Sequence, residues 1–188
     1  SLAEKKIPLT LLMAKLKEVN TMTANFQQTV LDGSRVIQKN NGKLYLQRPY
    51  KFQWKEAPPS SQMIISNGQI IWIYDEALEQ VTIKPIDLKS NDSPIFLLTA
   101  NLNKLSKEFI ITYEKTNRKE IFLLTPKVGN ASAYQWVKLI YQDQKLSELL
   151  LEDNLSQITR LIFSKMILNN KLPTRLFTFI PPSGVVVV

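Results

Sequence analysis

Residues 42–54 read Gly-Lys-Leu-Tyr-Leu-Gln-Arg-Pro-Tyr-Lys-Phe-Gln-Trp, and this stretch decides the fold class of the chain. Large apolar side chains alternate with polar ones through it, which is the period-two pattern of strands with one buried face. The alternating apolar residues are Leu44, Leu46, Tyr50, Phe52 and Trp54. Pro49 lacks a backbone N–H and predicts a break between two strands. The stretch therefore predicts two neighbouring strands of an antiparallel sheet.

The same alternation continues on both sides of this stretch. Strands are predicted over residues 22–84 and again over 108–188, about eleven in all. Apolar residues at helical spacing predict one helix over residues 8–20, and Pro94 followed by an apolar run predicts a helical insertion over 93–106. Many short strands at even spacing are typical of a meander rolled into a barrel-like sheet. No linker or repeat interrupts the 188 residues, so we expect a single domain, 1–188.

The composition excludes most familiar enzyme chemistry. The chain has no Cys and no His, which removes disulfides, thiol catalysis, Ser-His-Asp triads and most zinc sites. No run approaches the roughly 18 apolar residues of a membrane-spanning helix. The formal net charge of +8 favours an anionic partner such as nucleic acid, an anionic membrane surface or an acidic protein, although a merely basic solvated surface is equally compatible with it.

Two features of the strand pattern suggest a site, and each has a plainer interpretation. The apolar face of the rolled sheet, with aromatic residues at 50–54 and 70–74, either fills its own interior or holds an apolar ligand. Arg48 has the parity of the inward-facing leucines, where a guanidinium is costly unless it is hydrogen-bonded. It either holds backbone carbonyls of a lid with its five donors or reaches water at the strand end.

Several motifs occur in an order that resembles one family, the outer-membrane lipoprotein carrier proteins, which are periplasmic chaperones of Gram-negative bacteria. The most specific is the block from Gly42 through Arg48-Pro49 to Phe52-x-Trp54. The others that match the family pattern are Ala24-Asn25-Phe26-Gln27-Gln28, Ser66 to Asp75, Leu78 to Thr82, Ser93 to Leu98, Leu124 to Lys127 and Phe177 to Val185. Asn67 stands where the family has Asp, and Asn-Gly suits the same turn.

The resemblance implies an unclosed antiparallel β-barrel covered by short helices, which enclose a hydrophobic cavity. It implies that Arg48 is the lid latch and that Phe52 matches a position linked to engagement with the loading and acceptor machinery. The residues expected to line the cavity are Phe26, Leu44, Leu46, Tyr50, Phe52, Trp54, Trp72 and Tyr74. The apolar residues expected on the lid are Leu12, Leu16, Ile95, Phe96, Leu97 and Leu98.

The function implied by the resemblance is a transport cycle without catalysis, cofactor or metal. An inner-membrane ABC transporter releases a triacylated lipoprotein, the carrier shields its acyl chains, and an outer-membrane lipoprotein receptor accepts it. We expect a periplasmic monomer, its signal peptide removed, that approaches membrane surfaces only transiently. The receptor of this system shares the fold but is anchored through a lipidated Cys, so the absence of Cys favours the carrier.

Two other functions stay open at this point. A general lipid or glycolipid binder on the same half-barrel would bind extractable free lipids. A barrel that binds RNA or single-stranded DNA would show steeply salt-dependent binding. The aromatic residues alternate with the basic ones and so take the opposite face, which disfavours nucleic acid as a partner.

Overall fold

The computed structural model describes residues 2–87, 94–99, 101–129 and 132–188 of the chain, with side chains from residue 7 onward. The helices are α1 (Leu2–Lys17), α2 (Ile95–Thr99) and α3 (Leu102–Glu108). The strands are β1 (Thr21–Asp32), β2 (Arg35–Gln47), β3 (Lys51–Glu56), β4 (Gln62–Asn67), β5 (Ile70–Asp75), β6 (Gln80–Pro85), β7 (Phe109–Thr116), β8 (Lys119–Pro126), β9 (Tyr134–Gln142), β10 (Lys145–Asp153), β11 (Gln157–Leu168) and β12 (Val186–Val187).

The strands form a sheet in the order β12-β6-β5-β4-β3-β2-β1-β11-β10-β9-β8-β7. Neighbouring strands run antiparallel in β2–β6 and in β7–β11, and the short β12 joins β6 in parallel. The order has two ends, β12 and β7, so the sheet is unclosed. The predicted fold class, a mainly antiparallel unclosed sheet with a few short helices, is confirmed, and the described residues hold twelve strands instead of about eleven.

Three element boundaries differ from the predictions. The first helix covers Leu2–Lys17, whereas 8–20 was expected. The second strand begins at Arg35, before the predicted stretch that starts at Gly42, and residues 35–39 of this extension are exposed. Within the range 108–188, where strands were predicted, residues 176–180 were expected to form one; this prediction is wrong, because a 3-10 turn occupies Thr174–Phe177 and irregular chain follows it. Within the part of the chain described, no helix has the length and apolar character needed to cross a membrane.

The chain divides into two compact units, each assembled from separate segments. The first unit contains Ser1–Glu18, Gln27–Lys39 and Leu102–Ser164, and therefore α1, α3 and β7–β10. The second contains Val19–Phe26, Asn40–Asn101 and Lys165–Val188, and therefore β3–β6 and α2. The expectation of a single domain over 1–188 stays a prediction.

Candidate functional site

The second unit has one apolar sheet face that the strand register defines. Directly paired residues of antiparallel strands share a face, and here Leu44 pairs with Trp54, and Leu46 with Phe52. The ring of Phe26 stacks on that of Trp54, with 3.6 Å between centroids and an interplanar angle of 17°. All five side chains are buried. The structure thus brings together five of the eight residues predicted to line a cavity.

Gly42 permits the close approach of strands at one end of this apolar face. It pairs with Glu56 across β2 and β3. A Cβ built on Gly42 would meet the carbonyl oxygen of Lys55 and the ring of Phe26 at less than van der Waals distance. The glycine that opens the fold-deciding stretch is therefore required by packing, because any side chain would push β2 away from β3.

Trp72 and Tyr74 lie on the other face of the sheet. Phe52 pairs with Ser66 and Ser66 with Ile71, so the Phe52 face of β5 carries Ile71. Trp72 pairs instead with Ile65, and the Tyr74 ring lies 4.9 Å from that of Phe179, in the C-terminal segment. These two aromatic residues are half-buried on the face opposite to Phe52 and Trp54. The residues predicted to line one cavity are therefore divided between two faces.

Helix α2 packs on the apolar face through an aromatic contact. The ring of Phe96 meets that of Phe52 edge to face, with centroids 5.1 Å apart. Ile95 and Leu98 are also buried, while Leu97 is half-buried. A helix of five residues has too few internal hydrogen bonds to be stable alone. Its position therefore depends on these apolar contacts and on the polar contacts at its end.

Arg48 lies in a turn between β2 and β3, not in the strand from which its parity was derived. Its backbone N–H donates to Asn20 O at 2.9 Å, and its Nε donates to Val19 O at 2.9 Å. The side chain is half-buried and charged. Hydrogen bonds from a charged donor are the stronger kind, each contributing about 1.5–3 kcal/mol. Arg48 thus fixes the connection that follows α1, residues 19–20, to the start of β3.

Tyr50 contacts the far end of α2. Its backbone N–H donates to Thr99 O at 3.1 Å, and its hydroxyl accepts the backbone N–H of Asn101 at 3.1 Å. The Ser66 hydroxyl donates to Tyr50 O at 2.6 Å. Sequence reasoning assigned Tyr50 to the apolar lining and did not find these polar contacts. The only signal was its position directly after an Arg-Pro break.

A buried carboxylate ends the apolar face, and sequence reasoning missed it. Glu56 has the parity of Phe52 and Trp54 on β3, and burial raises the pKa of its carboxyl group. Asn40 Nδ2 donates to one carboxylate oxygen at 2.7 Å, and the Ser60 hydroxyl donates to the other at 3.3 Å and opposes the rise. Glu56 therefore gives this end of an otherwise apolar surface a hydrogen-bonded polar boundary.

In the first unit, α1 is held on the sheet by both apolar and polar contacts. Leu12 and Leu16, predicted as lid residues, are buried, and the helix packs against β7 and α3. Lys15 Nζ lies 3.0 Å from a carboxylate oxygen of Glu120 and 4.8 Å from the centroid of the Tyr141 ring. The polar anchor of α1 is thus a half-buried lysine on a buried glutamate.

The pKa of Glu120 has opposing influences. Burial raises it, but the hydroxyl of Tyr113, which donates at 2.8 Å, and the ammonium group of Lys15 lower it more, so that the net pKa lies below its usual 4.5. A carboxylate whose pKa is lowered by folding stabilises the folded state at pH values above its unfolded-state pKa. This contribution is lost as the pH falls through the folded-state pKa.

Lys15→Met is expected to lower the free energy of unfolding by about 1–2 kcal/mol at neutral pH, since Glu120 loses its cationic partner. The difference from the parent chain should be smaller at an acid pH below the lowered folded-state pKa of Glu120 than at neutral pH, because protonation of this carboxylate removes the ion pair. Urea unfolding at the two pH values measures this, with Lys17→Met, on an exposed position of the same helix, as the control. A difference that is equal at both pH values would contradict the role given to the ion pair.

An apolar sheet face under a short helix, with hydrogen bonds at the end of that helix, favours a binding protein for an apolar ligand. Comparison with known proteins gives the family. The profile described as "Outer membrane lipoprotein carrier protein LolA" matches residues 17–180. The chain therefore belongs to the LolA family of outer-membrane lipoprotein carrier proteins, and the resemblance seen in its motifs is confirmed.

Curated relatives agree with the family profile. An outer-membrane lipoprotein carrier protein of Pseudomonas aeruginosa is 36% identical over 92% of this chain and 83% of its own length. The proteins of the same description from Coxiella burnetii and Legionella pneumophila are 34% and 37% identical, over 95% and 94% of this chain and 85% and 87% of their own lengths.

Solved structures support the fold. A LolA-superfamily protein from Nitrosomonas europaea matches with a TM-score of 0.56 at 14% identity, over 92% of this chain and 98% of its own. An outer membrane lipoprotein-sorting protein domain from Vibrio parahaemolyticus matches with a TM-score of 0.56 at 11% identity, over 92% and 97%.

Proposed function

We propose that this protein is a periplasmic carrier that binds the acyl chains of triacylated lipoproteins on the apolar face of its second unit. The observation that carries the proposal is the face formed by Phe26, Trp54 and Phe52 together with the short helix α2 that covers Phe52. Family membership supports the same ligand, because the relatives are described as outer-membrane lipoprotein carriers.

The energetics of acyl chains favour such a carrier. Each methylene exposed to water costs about 0.8 kcal/mol, so a protein with several acyl chains does not cross an aqueous compartment unshielded. The carrier must also release its cargo. Hydrogen bonds that re-form when the site empties offset part of the lost acyl burial, and a reversible lid therefore keeps the net affinity moderate.

Arg48 is the proposed latch of this lid. Its guanidinium donates to Val19 O, in the connection after α1, and Tyr50, in the same turn, donates to Thr99 O at the end of α2. Phe52 is fully buried under Phe96, so it becomes accessible to a partner only after α2 moves. This agrees with a role for Phe52 in loading and delivery.

The proposed partners are an inner-membrane lipoprotein-releasing ABC transporter and an outer-membrane lipoprotein receptor. The carrier acts as a monomer without catalysis or cofactor, and its +8 charge favours brief approach to anionic membrane surfaces or to an acidic receptor. Trp72 and Tyr74, on the opposite face, are not part of the proposed acyl site.

A binding experiment separates this function from general lipid binding. The purified protein is mixed with a triacylated lipoprotein and with the same lipoprotein lacking its lipidated N-terminal cysteine, each with and without excess phospholipid. We expect a one-to-one complex with the acylated form only, which phospholipid does not displace. Displacement by phospholipid would favour the general lipid binder, and equal binding of both forms would contradict an acyl site.

A further inference from the structure

Tyr50 has a strained backbone at the junction between β2 and β3. Its φ is +60°, in the left-handed backbone region that residues other than glycine and asparagine seldom adopt. Such a conformation persists only where the surroundings over-determine it, and it is common at clamps and switches. The partners of Tyr50 therefore indicate what the strain supports.

The hydrogen bonds of Tyr50 form two sets: one bond to the sheet, called the anchor, and two bonds to the chain at the end of α2, called the grip. The anchor is Ser66, a fully buried side chain on β4 whose hydroxyl donates to Tyr50 O at 2.6 Å and accepts the Gly68 N–H at 3.1 Å. The grip has two contacts: the Tyr50 N–H on Thr99 O, and the Tyr50 hydroxyl on the N–H of Asn101. One residue fixed to the sheet thus binds the chain on both sides of position 100.

We propose that Tyr50 is a second lid-holding residue, distinct from Arg48, whose hydroxyl keeps the C-terminal end of α2 closed while the site is empty. The inference rests on the proposed carrier function and deepens it. Arg48 holds the chain at Val19, whereas Tyr50 holds α2 itself at residues 99 and 101. Opening α2 requires the Asn101 amide to leave the phenol, so this contact sets part of the cost of opening.

Tyr50→Phe removes the hydroxyl and keeps the ring and the backbone. Tyr45→Phe is the matched control, because Tyr45 lies on β2 next to the same turn and its ring faces Lys43. Residue-resolved hydrogen exchange of the empty protein measures opening. We expect the amides of Asn101 and α2 to exchange roughly three- to tenfold faster in Tyr50→Phe and unchanged in Tyr45→Phe.

Two outcomes would overturn the inference. Unchanged exchange at Asn101 in Tyr50→Phe would show that the hydroxyl does not hold the helix. An equal acceleration in Tyr50→Phe at β8–β10 of the first unit would show a general loss of stability instead of local opening.

The loaded protein provides the second readout. With a purified triacylated lipoprotein bound, α2 has already moved, and the difference between Tyr50→Phe and the parent should vanish; a difference that persists would contradict the inference. If the empty-state effect is present but no lipoprotein binds, the lid contact stands and the carrier function fails. If lipoprotein binds but the empty-state effect is absent, the carrier function stands and the role of Tyr50 fails.

Discussion

Gly42→Ala is expected to lower the free energy of unfolding by about 2–3 kcal/mol or more, the upper part of the range for overpacking. The added methyl group meets backbone, the Lys55 carbonyl oxygen and the Glu56 Cα, besides the Phe26 ring. Backbone in a paired strand does not turn away as a flexible side chain does. The register from Leu44↔Trp54 to Gln47↔Lys51 would have to shift or bend to accept it.

Urea unfolding monitored by tryptophan fluorescence measures this effect, since the ring of Trp54 stacks on Phe26 beside Gly42. Lys43→Ala is the control: it is the next residue along β2, exposed and on the opposite face. A loss of less than about 0.5 kcal/mol in Gly42→Ala, which is the usual effect of a surface substitution, would contradict the close approach of β2 and β3.

Arg48→Leu is expected to slow delivery of lipoprotein to the receptor by about tenfold or more, while loading still takes place. The substitution removes the charged hydrogen bond to Val19 O, and losing 1.4 kcal/mol from the closed state alone shifts the equilibrium about tenfold toward the open one. The backbone bond from residue 48 to Asn20 O remains, so the turn itself should persist. Release is hindered because closing no longer compensates the carrier for the acyl contacts it loses.

The experiment transfers a labelled lipoprotein from the loaded carrier to receptor-containing membranes and follows its rate. Arg175→Leu, an exposed arginine of the same unit, controls for the loss of one positive charge. Delivery by Arg48→Leu at the rate of the parent chain would remove Arg48 from the latch. Equal slowing in Arg175→Leu would assign the effect to charge instead.

The sequence was sufficient for those features that a local pattern determines. The strand at Lys51–Glu56 follows from strict alternation, and α2 follows from Pro94 and the apolar run after it. Phe26 and Trp54 were both expected on the cavity lining from the family resemblance, and their rings stack on each other in the structure.

The face taken by Trp72 and Tyr74 was not predictable from the sequence. Residues 70–74 are apolar at every position, and a strand without alternation does not reveal which of its faces points toward the core. The loop from 57 to 61 does not fix the register of β4 against β3, and that register decides the face. The observed pairing of Phe52 with Ser66 turns Ile71 toward Phe52 and Trp72 away.

The polar contacts around Arg48 and Tyr50 depend on partners that are distant in sequence. The break predicted at Pro49 is a turn over residues 48–50, and in a turn the strand parity no longer decides where these side chains point. Residues 176–180, Leu-Phe-Thr-Phe-Ile, were also predicted to be a strand. There the Leu176 carbonyl accepts the side-chain amide of Gln53 in place of a strand partner.

The measurement that tests the carrier role most directly is release of lipoprotein from energised inner membranes. Membranes containing the transporter and a labelled triacylated lipoprotein are incubated with this protein, and the soluble fraction is examined for a complex. We predict an ATP-dependent, one-to-one soluble complex of the lipoprotein with this chain. A lipoprotein that stays in the membrane fraction with ATP and folded protein present would contradict the carrier function.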